Sequence, residues 1–362
     1  MSPVNSPPDA PGRAAVRFPL DVVYQAARMY YLEDATQVEI AQRLDVSRPT
    51  VSRLIAEARR LGLVHISVTD PFVDENAGLA DALRDALGLK AVYLAPVTHA
   101  STLGSDLAIP VAAAIADMQL GVGDTLLMSL GRTVHDLVFS GSLPPLSGVT
   151  IVPAVGGQAE PQPWFQTNEI TRMAAEVSGA RSRFLFTQSF PSAGMRAGLE
   201  ADPTFLQVTN SWKTAKGALL GIGAPTATRE NLSTGLPEDK HLFDEAAGDV
   251  CLNFFRADGS AVDFPGSERM VRVSRENLAN LPHAIGVAVG VDKVLSIVGA
   301  IRASLINHLV TDPATAKALL VGPEGGLSAI DYGRSGPAGG SREGHRGNSG
   351  AKGFDESGHG LV

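Results

Sequence analysis

The sequence predicts an α/β protein with a small N-terminal helix-turn-helix domain and a larger Rossmann-like α/β domain. Three observations carry this. Between Leu20 and Leu61 apolar residues recur at helical spacing around a tight turn. From Lys90 onward, short apolar runs alternate with helical segments, the pattern of parallel strands joined by crossover helices. The chain has 362 residues, 44% hydrophobic and 19% charged, enough to bury two cores.

Residues 1–18, beginning MSPVNSPPDAPGR, are Pro/Ser-rich and read as a disordered arm. The arm has no apolar core of signal-peptide type and no stretch is apolar and long enough to span a bilayer, so the expectation is a cytoplasmic protein without a membrane partner. Residues 19–70 form the first domain. Leu20–Leu32 (LDVVYQAARMYYL) reads as a leading helix packed on the pair that follows. Thr36 N-caps a second helix with Val38, Ile40, Ala41 and Leu44 on one face; Ser47 N-caps a third from Arg48 to about Leu61, with Pro49 tolerated in its first turn. Val51, Leu54, Ile55 and Ala58 face inward. Val64–Val68 alternates as a short strand, and Asp70-Pro71 breaks the chain. Residues 71–89 read as a linker helix whose Leu79, Leu83 and Leu87 stripe stops at Gly88 and packs within the domain or against a partner subunit.

The helix pair points to double-stranded DNA. Recognition helices touch base edges near their N-terminus, and here that end carries Arg48, Thr50, Ser52 and Arg53. Arg48 or Arg53 can grip guanine bidentately, a contact contributing roughly 1–3 kcal/mol of discrimination. Ser47, Thr50 and Ser52 can bond phosphate or base, and Thr36 or Gln37 can fix register on a phosphate. From Arg43 to Arg60, five arginines face only Asp45 and Glu57, a net charge of +3 on a chain of net charge −8. The overall acidity excludes a protein that coats nucleic acid nonspecifically and confines binding to one module. The competing interpretation is an ordinary helix pair with a solvated arginine face. The joint occurrence of caps, turn, proline position and paired apolar faces weighs against it.

The second domain spans residues 90–321. Its strands are read in AVYLAP, DTLLMSLG, GVTIVPAVGG, RFLFTQSF, ALLGIGAP, VCLNFF and AIGVAVG, with a helix from about Ser105 to Met118. Unbroken apolar runs suit strands covered on both faces, and glycine-rich strand ends are where open α/β sheets bind ligands. The turn Ser129–Val134, containing Gly131, Arg132 and Thr133, can cradle an anion at a helix start, although a plain strand-to-helix turn fits as well. Gly156 and Gly157, followed by Gln158, permit close backbone approach. Asn168 flanks the next helix as a ligand contact or a structural residue. Asp249 can hydrogen-bond sugar hydroxyls, whereas Asp258-Gly259 reads as a turn. Lys293 opens a helix beside a glycine turn, to meet an oxygen-rich ligand or form an exposed salt bridge. Cys251 is the single cysteine, and His99, His135 and His283 lack ligand spacing, so no disulfide, metal or cofactor is assigned. No convincing catalytic set stands out. Residues 322–362 are Gly/Ser-rich and read as a disordered tail.

With these segments in place, the chain resembles the SorC family of bacterial transcriptional regulators over roughly residues 20–321. The first domain carries YYLEDATQVEIAQRLDVSRPTVSRLIAEARRLGLV; the second carries LGRT, VPAVGG, LLGIGAP, GDVCLNFFRADGSAVD, LPHAIGVAVGVDK and LVTDPATAKALL. The resemblance implies a larger domain folded like sugar-phosphate isomerases and deaminases but used for sensing, on a homotetramer (a dimer of dimers) bound to operator DNA. It carries effector contacts onto Gly131, Arg132, Thr133, Gly156, Gly157, Asp249 and Lys293. The chain departs from the family pattern in three places: SLGRT lacks the tryptophan common before its glycine, Gly286–Gly290 reads GVAVG, and Cys251–Phe255 reads CLNFF. Val155 also stands where some phosphosugar-sensing members place a basic residue. The expectation is a non-enzymatic regulator of a carbohydrate operon answering to a sugar, polyol or sugar phosphate. The alternatives are an isomerase-like enzyme with an accessory DNA-binding module and, less compatible with the acidic charge, an architectural DNA-binding protein.

Overall fold

The computed structural model describes residues 18–61, 63–64, 73–96, 102–225 and 240–322. Residues 1–17 of the expected arm, the expected strand after Val64, His99 and the expected tail beyond Gly322 lie outside the described residues. The chain divides into two compact units, Met1–Val73 and Asp74–Val362.

In the first unit α1 (Leu20–Leu32), α2 (Gln37–Arg43) and α3 (Arg48–Arg60) surround Val23, Ala26, Ile40, Val51, Leu54 and Ala58, all fully buried. Side chains start both short helices. Thr36 Oγ1 accepts from Glu39 N at 3.3 Å while Glu39 Oε2 accepts from Thr36 N at 2.8 Å, a reciprocal capping box. Ser47 Oγ accepts from Thr50 N at 3.3 Å, and Pro49 sits in the first turn of α3. Between the helices Asp45 takes φ 50°, the left-handed conformation that reverses the chain.

The second unit opens with α4 (Val73–Leu87), β1 (Ala91–Leu94), α5 (Leu103–Asp106), α6 (Ala108–Asp117), β2 (Thr125–Met128), α7 (Arg132–Phe139) and β3 (Thr150–Pro153). It continues with α8 (Thr167–Ser178), β4 (Arg181–Ser182), α9 (Ala193–Glu200), α10 (Pro203–Thr214), β5 (Gly217–Gly223), β6 (Gly248–Val250) and β7 (Asn253–Phe255). It closes with α11 (Arg275–Ala279), β8 (His283–Val287), α12 (Val294–Arg302), β9 (His308–Thr311) and α13 (Pro313–Val321). The main sheet is parallel in the order β1-β9-β8-β5-β2-β3-β4. Successive side chains of a strand point to opposite faces. Leu127, Val152, Leu220 and Leu309 therefore enter one core, while Leu126, Ile151, Leu219 and Val310 enter the other. Burial on both faces is why these strands read as unbroken apolar runs.

Three sequence expectations are corrected and one strand is added. VCLNFF is an antiparallel hairpin, because Cys251 and Leu252 both adopt positive φ, 49° and 60°, as a tight two-residue turn demands. RFLFTQSF is not a strand: β4 ends at Ser182, and Leu185 exchanges its backbone hydrogen bonds with the Asn168 side chain instead of a ladder partner. The helix expected from Ser105 to Met118 breaks at Leu107 into α5 and α6, where Gly104 packs directly on the Asp136 carbonyl. β9 is a fully buried strand that was not singled out, because His308 and Thr311 mask its apolar pattern.

The base of β9 also sets a pH dependence. His308 is 4% exposed, its ring 4.9 Å from that of His283 and its Nδ1 2.6 Å from Asn307 Oδ1. Burial, then His283 and Lys90, push the His308 pKa down to about 4, with Asp117 opposing. Burial, then Lys90, lowers that of His283 too. Unfolded histidines protonate near pH ~6.5, so the unfolded chain takes up protons first as the pH falls. Stability from the neutral rings is complete above that pH and is lost toward pH 4, on the order of 3 kcal/mol for His308. Urea unfolding followed through the fluorescence of buried Trp212 should show a lower midpoint at pH 5 than at pH 7, and His308→Gln should flatten the difference. An unchanged pH slope in the variant would remove the pair as its cause.

Candidate functional site

Two sets of side chains are presented by this fold. On the first unit, Ser47, Arg48, Pro49, Ser52 and Arg53 are exposed along the start of α3, and Thr50 and Gln37 are half-buried. Their hydrogen bonds divide them. The Ser47 and Thr50 hydroxyls bond each other at 2.8 Å within the cap, and the Thr36 hydroxyl donates to Glu39 Oε2 at 2.9 Å. These three hold the helix starts. The side chains of Gln37, Arg48, Ser52 and Arg53 make no hydrogen bond or ion pair with a described residue and remain available to a ligand. Arg43, counted in the basic patch, is paired with Glu33 at 3.2 Å. The sequence reading identified the Thr36 cap but missed the Glu39 half of the box, although its spacing three residues on is the signal for it.

On the second unit the strand order reverses between β2 and β5: β2, β3 and β4 step outward one way, and β5, β8 and β9 the other. Such a switch point opens a crevice beyond the strand ends. Three neighbouring strand ends are tied together there. Gly221 N donates to Ser129 Oγ at 2.8 Å, joining β5 to β2, and Lys293 Nζ donates to Ile222 O at 3.0 Å, joining the segment after β8 to β5. Asp249 lies opposite Gly223 in the β5–β6 pair. Gly131, Arg132, Thr133, Asp249 and Lys293 thus come to one edge of the sheet from separate parts of the chain.

The β2–α7 turn is shaped for approach. Gly131 has φ 124° and ψ 154°, a region only glycine occupies readily. Its N–H donates to the Trp164 carbonyl at 2.9 Å, and the Arg132 guanidinium lies 4.7 Å over the Trp164 ring. No side chain caps α7. Trp164 was missed by the sequence reading, since a lone aromatic in a loop gives no signal of what stacks on it.

The remaining candidates are held by backbone. Gly156 N donates to Val271 O at 2.9 Å, and a Cβ there would lie 2.8 Å from the Gln188 carbonyl carbon and from Ser189 N. Gly157 exchanges hydrogen bonds with Thr187 O and Ser189 N at 2.9 and 2.7 Å. Gly156 therefore admits a neighbouring segment of the same chain, whereas a Cβ at Gly157 would meet only Thr187 O, at 3.7 Å. Gln158 is 7% exposed, and its Oε1 has no hydrogen-bond partner. Asn168 receives Leu185 N at 2.9 Å and donates to Leu185 O at 3.2 Å, which uses both ends of its amide. Asp249 Oδ2 accepts from Leu252 N at 2.8 Å and closes the β6–β7 turn. The half-buried Arg272 guanidinium donates to Leu252 O on the same turn; desolvation pushes its pKa down, against Asp263 and Asp249. Asp258 Oδ1 accepts from Ser260 N at 2.8 Å around Gly259, an Asx turn. Burial, with Asp249 adding to it, pushes the Cys251 thiol pKa up, so it is not a reactive thiolate. Among the described residues no group of three or more His, Cys, Asp or Glu side chains is placed to hold a metal ion.

Residues 73–321 match the family model for a sugar-binding domain, and residues 26–61 match sigma-70 region 4. The sorbitol operon regulator of Klebsiella pneumoniae is 31% identical over 315 residues, covering 83% of this chain and 97% of the relative. The deoxyribonucleoside regulator of Bacillus subtilis is 31% identical over 304 residues, covering 82% and 96%. The crystal structure of the full-length sorbitol operon regulator SorC of Klebsiella pneumoniae superposes with a TM-score of 0.65 at 30% identity, covering 83% of this chain and 98% of that one.

Asn168→Ala separates the two roles open to that residue. Leaving Leu185 N and O without partners should cost about 1–3 kcal/mol for each group that stays dry, read as a lower urea midpoint without any ligand present. An unchanged midpoint would return Asn168 to the set of ligand contacts.

Proposed function

The chain belongs to the SorC family of sugar-binding transcriptional regulators, and from that premise we propose a cytoplasmic homotetramer, a dimer of dimers, that reads operator DNA with α3 and senses its effector at the β2–β5 switch point. As a family member it is a sugar-responsive DNA-binding regulator of a carbohydrate operon. The observation that carries the output half is the exposed, unpartnered Arg48, Ser52 and Arg53 face of a helix whose start is held by Ser47 and Thr50. Arg48 and Arg53 grip guanine edges in the major groove, and Gln37 sits on a phosphate.

The effector is a sugar, polyol or sugar phosphate. Gln158 Oε1, a buried acceptor with no partner, supports a hydroxyl-bearing ligand, since a buried acceptor gains most from a donor that replaces lost water. The open N-terminus of α7 with Arg132 and Thr133 would receive its most electronegative end, and Lys293 an oxygen beside Ile222. Asp249 shapes this edge by holding the β6–β7 turn. The protein acts as a sensor, not an enzyme. The regulatory names of its relatives support this, as does the use of Asp249, the carboxylate of the candidate set, in holding backbone. Ligand binding changes DNA affinity only through unequal affinity for the DNA-competent and incompetent arrangements. α4 is the connecting element, starting where the two units divide and ending with Leu83 and Leu87 in the larger core.

A thermal-shift screen over sugars, polyols and their phosphates identifies the effector, because a ligand at 100 times its Kd stabilises by about 2.7 kcal/mol. Lys293→Ala should lose that shift while still binding operator. Calorimetric affinity equal to that of the native protein would take Lys293 out of the site. Arg53→Ala should weaken operator binding by roughly 1–3 kcal/mol and relax base preference at one position. Turnover of a screened sugar phosphate at enzymatic rates would overturn the sensing role.

A further inference from the structure

Of the arginines on the first unit, those at positions 28 and 43 share one carboxylate, Glu33, at 3.5 and 3.2 Å. Arg59 is held differently. It is exposed in the last turn of α3, its Nε donates to the Tyr31 hydroxyl of α1 at 2.7 Å, and its guanidinium carbon lies 5.9 Å from the centre of that ring. Tyr31 is itself braced edge-on by Tyr30, with ring centroids 4.9 Å apart and planes at 86°. The Arg59 side chain makes no ion pair and no other hydrogen bond with a described residue. A neutral phenol therefore fixes the guanidinium without cancelling its charge. A carboxylate in its place would hold the arginine as well but repel an approaching anion.

We propose that Arg59 is a DNA phosphate contact, positioned for that task by Tyr31. Position 59 follows Arg48 by close to a whole number of helical turns, so it lies on the same exposed face as Arg48 and Ser52, about 16 Å further along the axis. A helix whose first turn touches bases in a groove about 12 Å wide has by then reached the flanking sugar-phosphate strand. The Nε–Tyr31 bond leaves both terminal nitrogens free for a bidentate phosphate contact, and the Tyr31 hydroxyl, having accepted one hydrogen bond, keeps its own hydrogen to donate. Holding the long side chain beforehand removes much of the entropy loss that phosphate binding would impose. The contact adds α1 to the DNA-binding surface, and it rests on the reading of α3 as the DNA-binding helix.

The test uses the full-length protein and two labelled 30-base-pair duplexes, one of random sequence and one selected for tight binding, titrated by fluorescence anisotropy between 50 and 200 mM KCl. Arg59→Ala should bind both duplexes about three- to tenfold more weakly and reduce the slope of log affinity against log salt by about 0.9, the signature of one lost phosphate. Arg59→Lys should restore the slope with only part of the affinity, and Tyr31→Phe should keep the slope while weakening both duplexes. An unchanged slope in Arg59→Ala together with a lowered Tm would make the pair a staple between α1 and α3 and overturn the proposal. Loss confined to the selected duplex would overturn it in favour of base reading. Failure of the native protein to bind either duplex would overturn the DNA-binding reading itself, and this proposal with it.

Discussion

The larger unit depends on the backbone of β5, whose last residues are shared among three partners. The strand is paired in parallel with β2 and β8 and is buried from Gly217 to Leu220, while Gly221 and Gly223 at its end are half-buried. Gly221 N goes to Ser129 Oγ, Ile222 O to Lys293 Nζ, and Gly223 pairs across from Asp249. A buried backbone group left without a partner costs free energy comparable to a lost hydrogen bond. Satisfying this one strand end therefore forces three distant stretches of chain to meet. The candidate site residues gathered at this sheet edge are in part the ones that meet that requirement.

This double use explains the character of the candidate site. Asp249 and Lys293 are polar groups at a sheet edge, yet each has a backbone partner in the described structure. Gly156 admits the 187–189 segment, Gly157 hydrogen-bonds to it, and the Asn168 amide replaces the strand partner that Leu185 lacks. A site assembled from such groups is preorganised, because its side chains are oriented before any ligand arrives. Removing a side chain there also disturbs the scaffold, because each one holds backbone.

The first unit separates the same two tasks onto different residues. Thr36, Ser47 and Thr50 spend their hydroxyls on helix starts, which leaves Arg48, Ser52 and Arg53 to face outward. Charge is divided in a similar way. Glu33 neutralises Arg43, whereas the Tyr31 phenol holds Arg59 and leaves its charge intact. The field felt by an approaching polyanion is thus set by which arginines are paired, and the net charge of the segment overstates it.

Much of this protein was legible in its sequence wherever the signal is local. Leu20–Leu32, the Thr36 and Ser47 caps and the Pro49 position follow from helical periodicity and from the chemistry of first turns, and all reappear in α1, α2 and α3. The parallel sheet followed from apolar runs because burial on both faces writes itself into every position of a strand. What the tertiary structure decided were matters of pairing. VCLNFF turns back on itself because Asp249 and Arg272 hold the Cys251–Leu252 turn, and RFLFTQSF leaves the sheet because Asn168 occupies the backbone of Leu185. β9 stayed hidden because His308 and Thr311 interrupt its apolar pattern, and their burial follows from pairing with β1 and β8, which lie far away in sequence. Local pattern determined most of the helices and strands; the side chains that meet Leu185, Gly221 and Ile222 along their backbone lie 17 to 92 positions away, and only the folded chain brings those together.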